Sequence, residues 1–244
     1  MTWIVVGASS GLGRALSERL AHEKKSLLLA SSDLRDLLPL GSDLHIRFGT
    51  EVRCYSHDAK DHRGFAQGLF DSLRETELID GILFPIGYVH EKDCGDLVLS
   101  GIERLINVDF LSVVSVLSLL LPRMLENKKG VIVGFGSIAG IRGRRNNVLY
   151  SASKRALQSY FESLRHRYES CGLLFQFYIL GYLDTNLAFG RKLLLPKANP
   201  ARIAESVVSN FDKRGGTRYL PSFWRPIGIT VRTLPWLIFK RMNF

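Results

Sequence analysis

The first twenty residues constrain the fold more strongly than any other part of the chain. An apolar run, Trp3-Ile4-Val5-Val6, precedes the glycine-rich segment Gly7-Ala8-Ser9-Ser10-Gly11-Leu12-Gly13. Residues 14–20 then place apolar side chains at helical spacing. The order strand, glycine turn, helix is typical of units that bind a dinucleotide, because the N–H groups of the helix N-terminus point toward its phosphates.

Each glycine of this turn has a predicted role. Gly7 allows the tight turn, Gly11 lets the backbone approach a diphosphate, and Gly13 lets the helix pack close to the strand. An ordinary strand–helix turn that happens to contain several glycines is the alternative. The other residues predicted to contact the dinucleotide here are Ser9, Ser10, Leu12 and Arg14.

Length and composition favour one α/β domain. A chain of 244 residues with 46% hydrophobic and 23% charged residues is long enough to bury a full core. The three cysteines, Cys54, Cys94 and Cys171, lack metal-ligand spacing, and no histidine pair has it, so we predict no metal site. The N-terminus enters a strand at once without a charged leader, and we therefore predict a cytoplasmic location. The net charge of +10 favours anionic partners such as phosphorylated substrates, acidic lipid or nucleic acid, although a solvated basic surface accounts for most of the scattered lysines and arginines. We predict no nucleic-acid partner.

Apolar runs alternate with helical patterns along the chain, which predicts a doubly wound parallel sheet of the Rossmann type. The predicted strands are Ile4–Val6, Ser26–Ala30, Val52–Tyr55, Ile79–Phe84, Val131–Phe135, Leu174–Ile179 and Arg218–Leu220. The predicted helices are Gly11–His22, Arg63–Arg74, Ile102–Glu126, Leu149–Ser170 and Pro200–Phe211. We predict one domain over residues 1–220, a lid over about 182–200, and a basic amphipathic tail over 221–244.

A second motif lies in the run Tyr150-Ser151-Ala152-Ser153-Lys154. Tyr150 and Lys154 are four residues apart and share one face of the predicted helix. A lysine ammonium favours the phenolate, so we expect Lys154 to lower the pKa of Tyr150 and make it a general acid/base. Ser137, a short distance upstream, supplies a hydroxyl that can hold a carbonyl or alkoxide oxygen.

Together these residues resemble the short-chain dehydrogenase/reductase family over essentially the whole chain. Asn107, Ser137, Tyr150 and Lys154 match the order and spacing of that family's catalytic tetrad. The resemblance implies an NAD(P)-dependent oxidoreductase. It further implies that Lys154 binds the nicotinamide ribose and that Asn107 anchors a water passing protons to Lys154.

The chain departs from the family pattern in two places. An Asn-Asn-Ala-Gly motif is replaced by Phe84-Pro85-Ile86-Gly87, in which only Gly87 survives, and the usual Pro-Gly is Leu180-Gly181. Thr185 stands where the family has a cofactor-contacting threonine, and Asp58 matches an adenine-contacting aspartate.

The end of the second predicted strand indicates which dinucleotide is bound. NAD enzymes usually place a carboxylate there to hold the ribose 2′-hydroxyl. Ser31 stands at that position here, and Ser32 stands where NADP enzymes often have arginine. Asp33 is better explained as the N-cap of a short helix. We therefore favour NADP(H) over NAD(H), with Arg14 either contacting the 2′-phosphate or lying at the surface.

Two basic segments bear on the substrate. The loop Arg142-Gly143-Arg144-Arg145 lies between Ser137 and Tyr150 and can hold a phosphate, although a solvated turn is an equal alternative. The tail 221–244 mixes aromatic and aliphatic residues with basic ones, which suits a membrane interface or a partner subunit. The run Arg144-Arg145-Asn146-Asn147-Val148-Leu149-Tyr150 and the tail segment Leu234-Pro235-x-x-Ile238-Phe239-Lys240-Arg241 resemble the branch that contains decaprenyl-phosphoryl 2-keto-ribose reductase. That branch reduces a keto-sugar on a polyprenyl phosphate.

Three functions stay open at this point. The first is NADPH-dependent reduction of a carbonyl, with a phosphorylated or lipid-linked keto-sugar as substrate. The second is oxidoreduction of a soluble ketone or alcohol, and the third is a sensor or scaffold that has lost catalysis. We also predict a homodimer or homotetramer, because the helix Ile102–Glu126 has more apolar surface than one sheet face needs, and family members commonly pair through it and Leu149–Ser170.

Overall fold

In a computed structural model of the chain, residues 1–9, 11–185 and 195–242 are described. They form a seven-stranded parallel sheet with the strand order β3-β2-β1-β4-β5-β6-β7. The strands are β1 Thr2–Val6, β2 Ser26–Ser31, β3 Val52–Ser56, β4 Ile79–Phe84, β5 Gly130–Ser137, β6 Leu173–Leu180 and β7 Gly216–Leu220. The predicted doubly wound sheet is confirmed.

Helices cover both faces of this sheet. They are α1 Gly11–His22, α2 Leu34–Phe48, α3 His62–Asp71, α4 Leu99–Ile106, α5 Ser112–Asn127, α6 Val148–Tyr168, α7 Pro200–Val208, α8 Trp224–Thr233 and α9 Trp236–Phe239. Side chains alternate across the strands, so Ile4 and Val6 join the core under α3, α5 and α6, while Trp3 and Val5 join the core under α1, α2 and α7. Because both faces are buried, the strands read as continuous apolar runs.

The predicted helix Ile102–Glu126 is wrong in one respect, because a π turn over Asn107–Leu111 separates α4 from α5. The extra residue of a π turn disturbs the 3.6-residue pattern and commonly marks a functional site. Here it brings Asp109 into the interior. The whole segment Leu99–Asn127 is long and apolar enough to cross a membrane by length and composition, although 44% of its most apolar window is buried inside the protein. Burial against the sheet accounts for the apolar character of that face.

Two further helical regions differ from the sequence prediction. The side chain of Asp33 accepts a hydrogen bond from the Arg35 N–H and caps α2, as predicted, but α2 is 15 residues long rather than short. The tail is helical over α8 and α9, and α8 buries Trp224 against the domain. Most of the predicted lid, residues 186–194, lies outside the described residues. Its two ends meet where Ala198 N donates to Tyr182 O at 2.8 Å.

Candidate active site

A cleft opens where the strand order reverses, between the carboxyl ends of β1 and β4, which is where open α/β sheets bind ligands. Its volume is about 390 Å³. Among the predicted site residues, those that line it are Gly7, Ser9, Gly11, Leu12, Ser31, Ser32, Asp58, Gly87, Ser137, Tyr150, Lys154 and Thr185. The two sequence motifs, far apart in the chain, therefore face one cavity.

The glycine turn has the geometry that a dinucleotide needs. Gly7 has φ +92°, and a Cβ there would lie 2.8 Å from the Ile86 Cα, so a side chain is excluded twice over. A Cβ on Gly13 would lie 1.9 Å from the Gly7 carbonyl oxygen, because α1 packs directly on the turn. Gly11 has φ +51° and faces Thr185 across the cleft. These residues fit a nicotinamide dinucleotide. Ser10 lies outside the described residues.

At the end of β2 the cleft presents hydroxyls rather than carboxylates. The Ser9 and Ser31 hydroxyl oxygens are 2.7 Å apart, and Ser32 also lines the cavity. The Asp33 carboxylate is held by Arg35, whose Nη2 lies 2.7 Å away. This ion pair and the N-cap hydrogen bond hold Asp33 at the start of α2, and it does not line the cleft.

Not every predicted dinucleotide contact lines the cleft. Asp58 does, near the start of the loop after β3, and its carboxylate accepts a hydrogen bond from the Lys60 N–H. Arg14 is exposed on α1 outside the cavity lining, so its contact with a 2′-phosphate stays a prediction.

Ser137 and Tyr150 reach the cleft from β5 and α6. Ser137 is the last residue of β5, and its hydroxyl oxygen accepts a hydrogen bond from the Ala139 N–H at 3.1 Å. Tyr150 is in the first turn of α6, one turn before Lys154, whose Nζ lies 5.7 Å from the centre of the phenol ring. The sequence spacing thus produces the expected shared face.

The direction of the Tyr150 pKa differs from the sequence expectation. Burial raises the pKa of the phenol, while Lys154 and a hydrogen bond from Ser137 act in the lowering direction, and burial outweighs both. The pKa of Tyr150 therefore lies above the ordinary value for tyrosine, and at neutral pH the side chain is a neutral phenol that holds its proton. The expectation of a lowered pKa is wrong because it considered only the lysine charge.

A buried carboxylate that the sequence analysis missed contacts Lys154. The Asp109 Oδ1 atom lies 3.1 Å from Lys154 Nζ, and the two side chains are 0% and 4% exposed. The same oxygen accepts a hydrogen bond from the Tyr88 N–H at 2.9 Å, while Lys154 also donates to the Ile86 carbonyl at 3.2 Å. Burial raises the pKa of Asp109, and the charge of Lys154 acts in the lowering direction. For Lys154, burial lowers the pKa, but attraction to Asp109 and Tyr150 outweighs it and leaves the pKa raised.

Asn107 begins the π turn but does not line the cleft. Its side-chain amide donates to the Lys60 carbonyl at 2.8 Å. The water relay to Lys154 that the family resemblance implies for Asn107 stays a prediction.

Asp93, in the loop after β4, fixes the helix that carries the tyrosine and lysine. It is 2% exposed, and its two carboxylate oxygens accept from the Leu149 and Tyr150 N–H groups at 2.9 and 2.8 Å. Asn147, the N-cap residue by position, makes no side-chain cap, so Asp93 takes that function from a distant loop. No local pattern around α6 could have indicated it.

The arginine loop is divided between two tasks. Arg142 donates to the carbonyls of Val231 and Leu234, and its guanidinium carbon lies 3.9 Å from the centre of the Phe239 ring. The hypothesis that three arginines hold a phosphate is therefore wrong for Arg142, which binds the tail. Arg144 lines the cleft, and its charge lowers the pKa of Tyr150 as a minor effect beside burial.

Comparison with known proteins agrees with this geometry. The family model for short chain dehydrogenases matches residues 1–192. The chain therefore belongs to the short-chain dehydrogenase/reductase family, whose members are NAD(P)-dependent oxidoreductases.

Among curated relatives, the chain is 27% identical to very-long-chain 3-oxoacyl-CoA reductase of Homo sapiens, over 97% of this chain and 77% of that protein. It is 25% identical to dehydrogenase/reductase SDR family member 7B of Mus musculus, over 98% and 79%. A short-chain dehydrogenase from Sphingobium yanoikuyae, solved in complex with NADPH, has a TM-score of 0.83 at 21% identity and covers 99% of this chain and 96% of its own. These relatives do not show the decaprenyl-phosphoryl keto-ribose reductase branch, which stays a hypothesis.

Proposed function

We propose that the protein reduces a carbonyl compound with NADPH. The observation that carries the proposal is the meeting of Ser137, Tyr150 and Lys154 with the glycine turn in one cleft. A tyrosine that holds its proton at neutral pH suits the reductive direction, because the reaction there consumes that proton.

The bound nicotinamide would supply the hydride. In the proposed reaction, the Ser137 hydroxyl donates a hydrogen bond to the carbonyl oxygen and positions it. Tyr150 gives its phenolic proton to that oxygen as negative charge develops there. The ammonium of Lys154 stabilises the phenolate that remains, and Asp109 holds Lys154 in place. A proton must then return to Tyr150 from solvent, which is the task assigned to the relay at Asn107.

Tyr150→Phe tests the chemical step, because it removes the transferable proton and keeps the ring. Positioned acid catalysis contributes about 10²–10⁴ in rate, and we expect a loss of that size in single-turnover reduction at saturating NADPH. Tyr160→Phe is the matched control, since Tyr160 lies on the same helix and packs edge-on against Phe110 outside the cleft. A wild-type rate for Tyr150→Phe would favour the sensor or scaffold function instead.

We also propose a preference for NADP(H) over NAD(H). Ser31 and Ser32 present hydroxyls in place of a carboxylate at the end of β2, so neither of these two side chains repels a 2′-phosphate. Introducing a carboxylate with Ser31→Asp should weaken NADP⁺ binding more than NAD⁺ binding in equilibrium titrations. Tighter binding of NAD⁺ than of NADP⁺ by the wild type would contradict the preference.

For the substrate we propose a carbonyl compound on an anionic, lipid-like carrier, of which a lipid-linked keto-sugar and a long-chain 3-oxoacyl thioester are two examples. The names of the curated reductases support the second example. We further propose that the protein is cytoplasmic and that its tail contacts acidic membrane, because Trp236, Leu237 and Ile238 are exposed beside basic residues. Flotation with acidic liposomes should be lost on Leu237→Ser, a substitution that spares the buried Trp224.

We propose a homo-oligomer formed through α4, α5 and α6. Leu99 and Ile102 on α4 are exposed apolar residues that a second copy would cover. Light scattering at micromolar concentration should give a dimer or tetramer mass, and Ile102→Glu should shift that mass toward the monomer. A monomer for the wild type would contradict this proposal.

A further inference from the structure

A second cavity adjoins the active-site cleft. It has a volume of about 460 Å³ and lies between the arginine loop and the end of the tail. We call it the basic groove, and its lining residues are Arg142, Gly143, Arg144, Arg145, Val148, Ser151, Trp236, Phe239, Lys240 and Met242. Arg144 also lines the cleft that contains Tyr150, so the two cavities share a wall.

The two sides of the groove are held together by a specific anchor. Arg142 donates from the loop to the Val231 and Leu234 carbonyls, and its guanidinium stacks on the buried ring of Phe239. These contacts fix the turn between α8 and α9 against the loop. The groove is therefore a shaped part of the fold, with cationic residues contributed from both sides.

Among the described residues, the charged side chains that line the groove are all cationic. Arg144, Arg145 and Lys240 line it together with Arg142, and no carboxylate is among its lining residues in the described part of the chain. Guanidinium and ammonium groups converging from two sides suit a phosphate or diphosphate, which accepts several charge-assisted hydrogen bonds at once.

The outer rim of the groove is apolar. Trp236 lines the groove and is 64% exposed. The next two residues of α9, Leu237 and Ile238, lie outside the lining and are 68% and 53% exposed. A phosphate alone would not use this surface, whereas an alkyl or prenyl chain attached to the phosphate would cover it. Cations on the inside and apolar side chains at the rim are thus complementary to one end of an amphiphile.

We infer that the basic groove binds the phosphate or diphosphate of an amphiphilic substrate. The apolar chain of this substrate lies on α9, and its carbonyl end extends past Arg144 into the cleft. The placement of the carbonyl end in the cleft rests on the proposed reductase function. The binding of the phosphate and the chain does not, and it can be measured without turnover.

Trp236 provides the binding signal. The other tryptophans, Trp3 and Trp224, are 5% and 3% exposed, so a ligand on α9 should mainly change Trp236 emission. The full-length protein, saturated with NADP⁺ to fill the cofactor site, is titrated with octyl phosphate below its aggregation concentration. Octanol and inorganic phosphate are titrated separately as the two halves of the probe. We expect a saturable blue shift with octyl phosphate, at least tenfold tighter than with either half, since cations and apolar rim both contribute (about tenfold per 1.4 kcal/mol).

The matched variants carry the same change of net charge. Arg145→Ala with Lys240→Ala removes two cations of the groove, and we expect at least about a tenfold loss of octyl phosphate affinity, the cost of roughly one charge-assisted hydrogen bond. Lys129→Ala with Lys213→Ala removes two exposed cations that precede β5 and β7 at the opposite edge of the sheet, and affinity should not change. Trp236→Phe should abolish the signal while inhibition of reductase turnover by octyl phosphate persists.

Several results would overturn the inference. They are equal binding of octanol and octyl phosphate, equal loss in both double variants, or a response to anionic vesicles but none to dispersed octyl phosphate. The vesicle-only result would assign the surface to lipid headgroups. Failure of the reductase proposal would give a different result. An inactive protein that still binds octyl phosphate in the groove would support the binding site and contradict only the placement of a carbonyl end in the cleft.

Discussion

Asp109→Asn should destabilise the protein strongly, although it changes one buried oxygen to an amide nitrogen. The Asp109–Lys154 pair is almost completely removed from solvent, with a 3.1 Å contact between Oδ1 and Nζ. Removing one partner of such a pair leaves an uncompensated buried charge and costs about 3–5 kcal/mol. Asparagine can still accept the Tyr88 N–H, and Lys154 keeps the Ile86 carbonyl, so we expect the lower end, about 3 kcal/mol.

The assay is equilibrium unfolding of wild type and variant. For a chain of this size, a loss of about 3 kcal/mol lowers Tm by roughly 6–12 °C. Asp43→Asn is the control, because Asp43 pairs with Arg47 on the exposed face of α2, and loss of this ion pair should leave Tm unchanged. Combining Asp109→Asn with Lys154→Met removes both charges and should cost less than the sum of the single changes, with a coupling of about 2 kcal/mol or more.

Asp109→Asn should also change the pH dependence of turnover. The charge of Asp109 raises the pKa of Tyr150, so its loss should move the alkaline limit of the reduction rate to lower pH. A purely structural residue would lower stability without moving that limit. Two results would contradict a coupled buried ion pair of Asp109 and Lys154. The first is unfolding of Asp109→Asn at the wild-type temperature, and the second is a destabilisation that simply adds to that of Lys154→Met.

Three further changes should have measurable outcomes. Asp93→Ala removes two acceptors at the start of α6 and should cost about 1–2 kcal/mol and slow turnover, whereas Asp93→Asn, which keeps one acceptor and turns the other into an amide donor facing an N–H group, should recover only part of the stability and the rate. Gly13→Ala places a methyl against a backbone carbonyl of the turn and should cost about 1–3 kcal/mol and weaken dinucleotide binding, while Gly143→Ala, which meets nothing within 4 Å, should not. The pKa values of Tyr150 and Lys154 are raised above 10.0 and 10.5, so the folded state keeps protons that the unfolded state releases. Stability should therefore be retained below about pH 10 and fall above it in pH-dependent denaturation, and an unchanged midpoint at higher pH would contradict these pKa directions.

The sequence predicted the fold and the cleft because both depend on local patterns. The bounds of β4 and α1 match the prediction to the residue, since a buried parallel strand is a plain apolar run and α1 begins at a glycine turn. Tyr150 and Lys154 share a face because helical spacing dictates it. Ser137 could be assigned because it matches the spacing of the family's tetrad, although β5 runs two residues past the predicted strand end at Phe135 and ends at Ser137 itself.

The missed residues act across long sequence distances. Asp109 contacts Lys154 only because a π turn rotates it inward, and apolar periodicity does not indicate such a turn. Asp93 caps a helix that begins 55 positions later in the chain (148 − 93), so no capping motif precedes that helix. The sequence predicted Arg142 to be a substrate ligand. Its actual partners are carbonyl groups of the tail, and these have no sequence signature.

The departure at Phe84-Pro85-Ile86-Gly87 can be reconciled with an intact site through the backbone. The Ile86 carbonyl accepts from Lys154, and that contact does not depend on the side chain at position 86. A Cβ at Gly87 would lie 3.4 Å from both Asp109 Oδ1 and Lys154 Nζ, which is ordinary van der Waals contact, so a methyl group fits while a longer or branched side chain would press on the buried ion pair. The segment therefore keeps the two properties that the Lys154 environment needs, a carbonyl and an absent side chain. The charged partner is provided by Asp109 from the π turn. On this argument Gly87→Val should reproduce part of the Asp109→Asn phenotype, with lowered stability and an altered pH limit, while Gly143→Val, where an added Cβ meets nothing within 4 Å, should not.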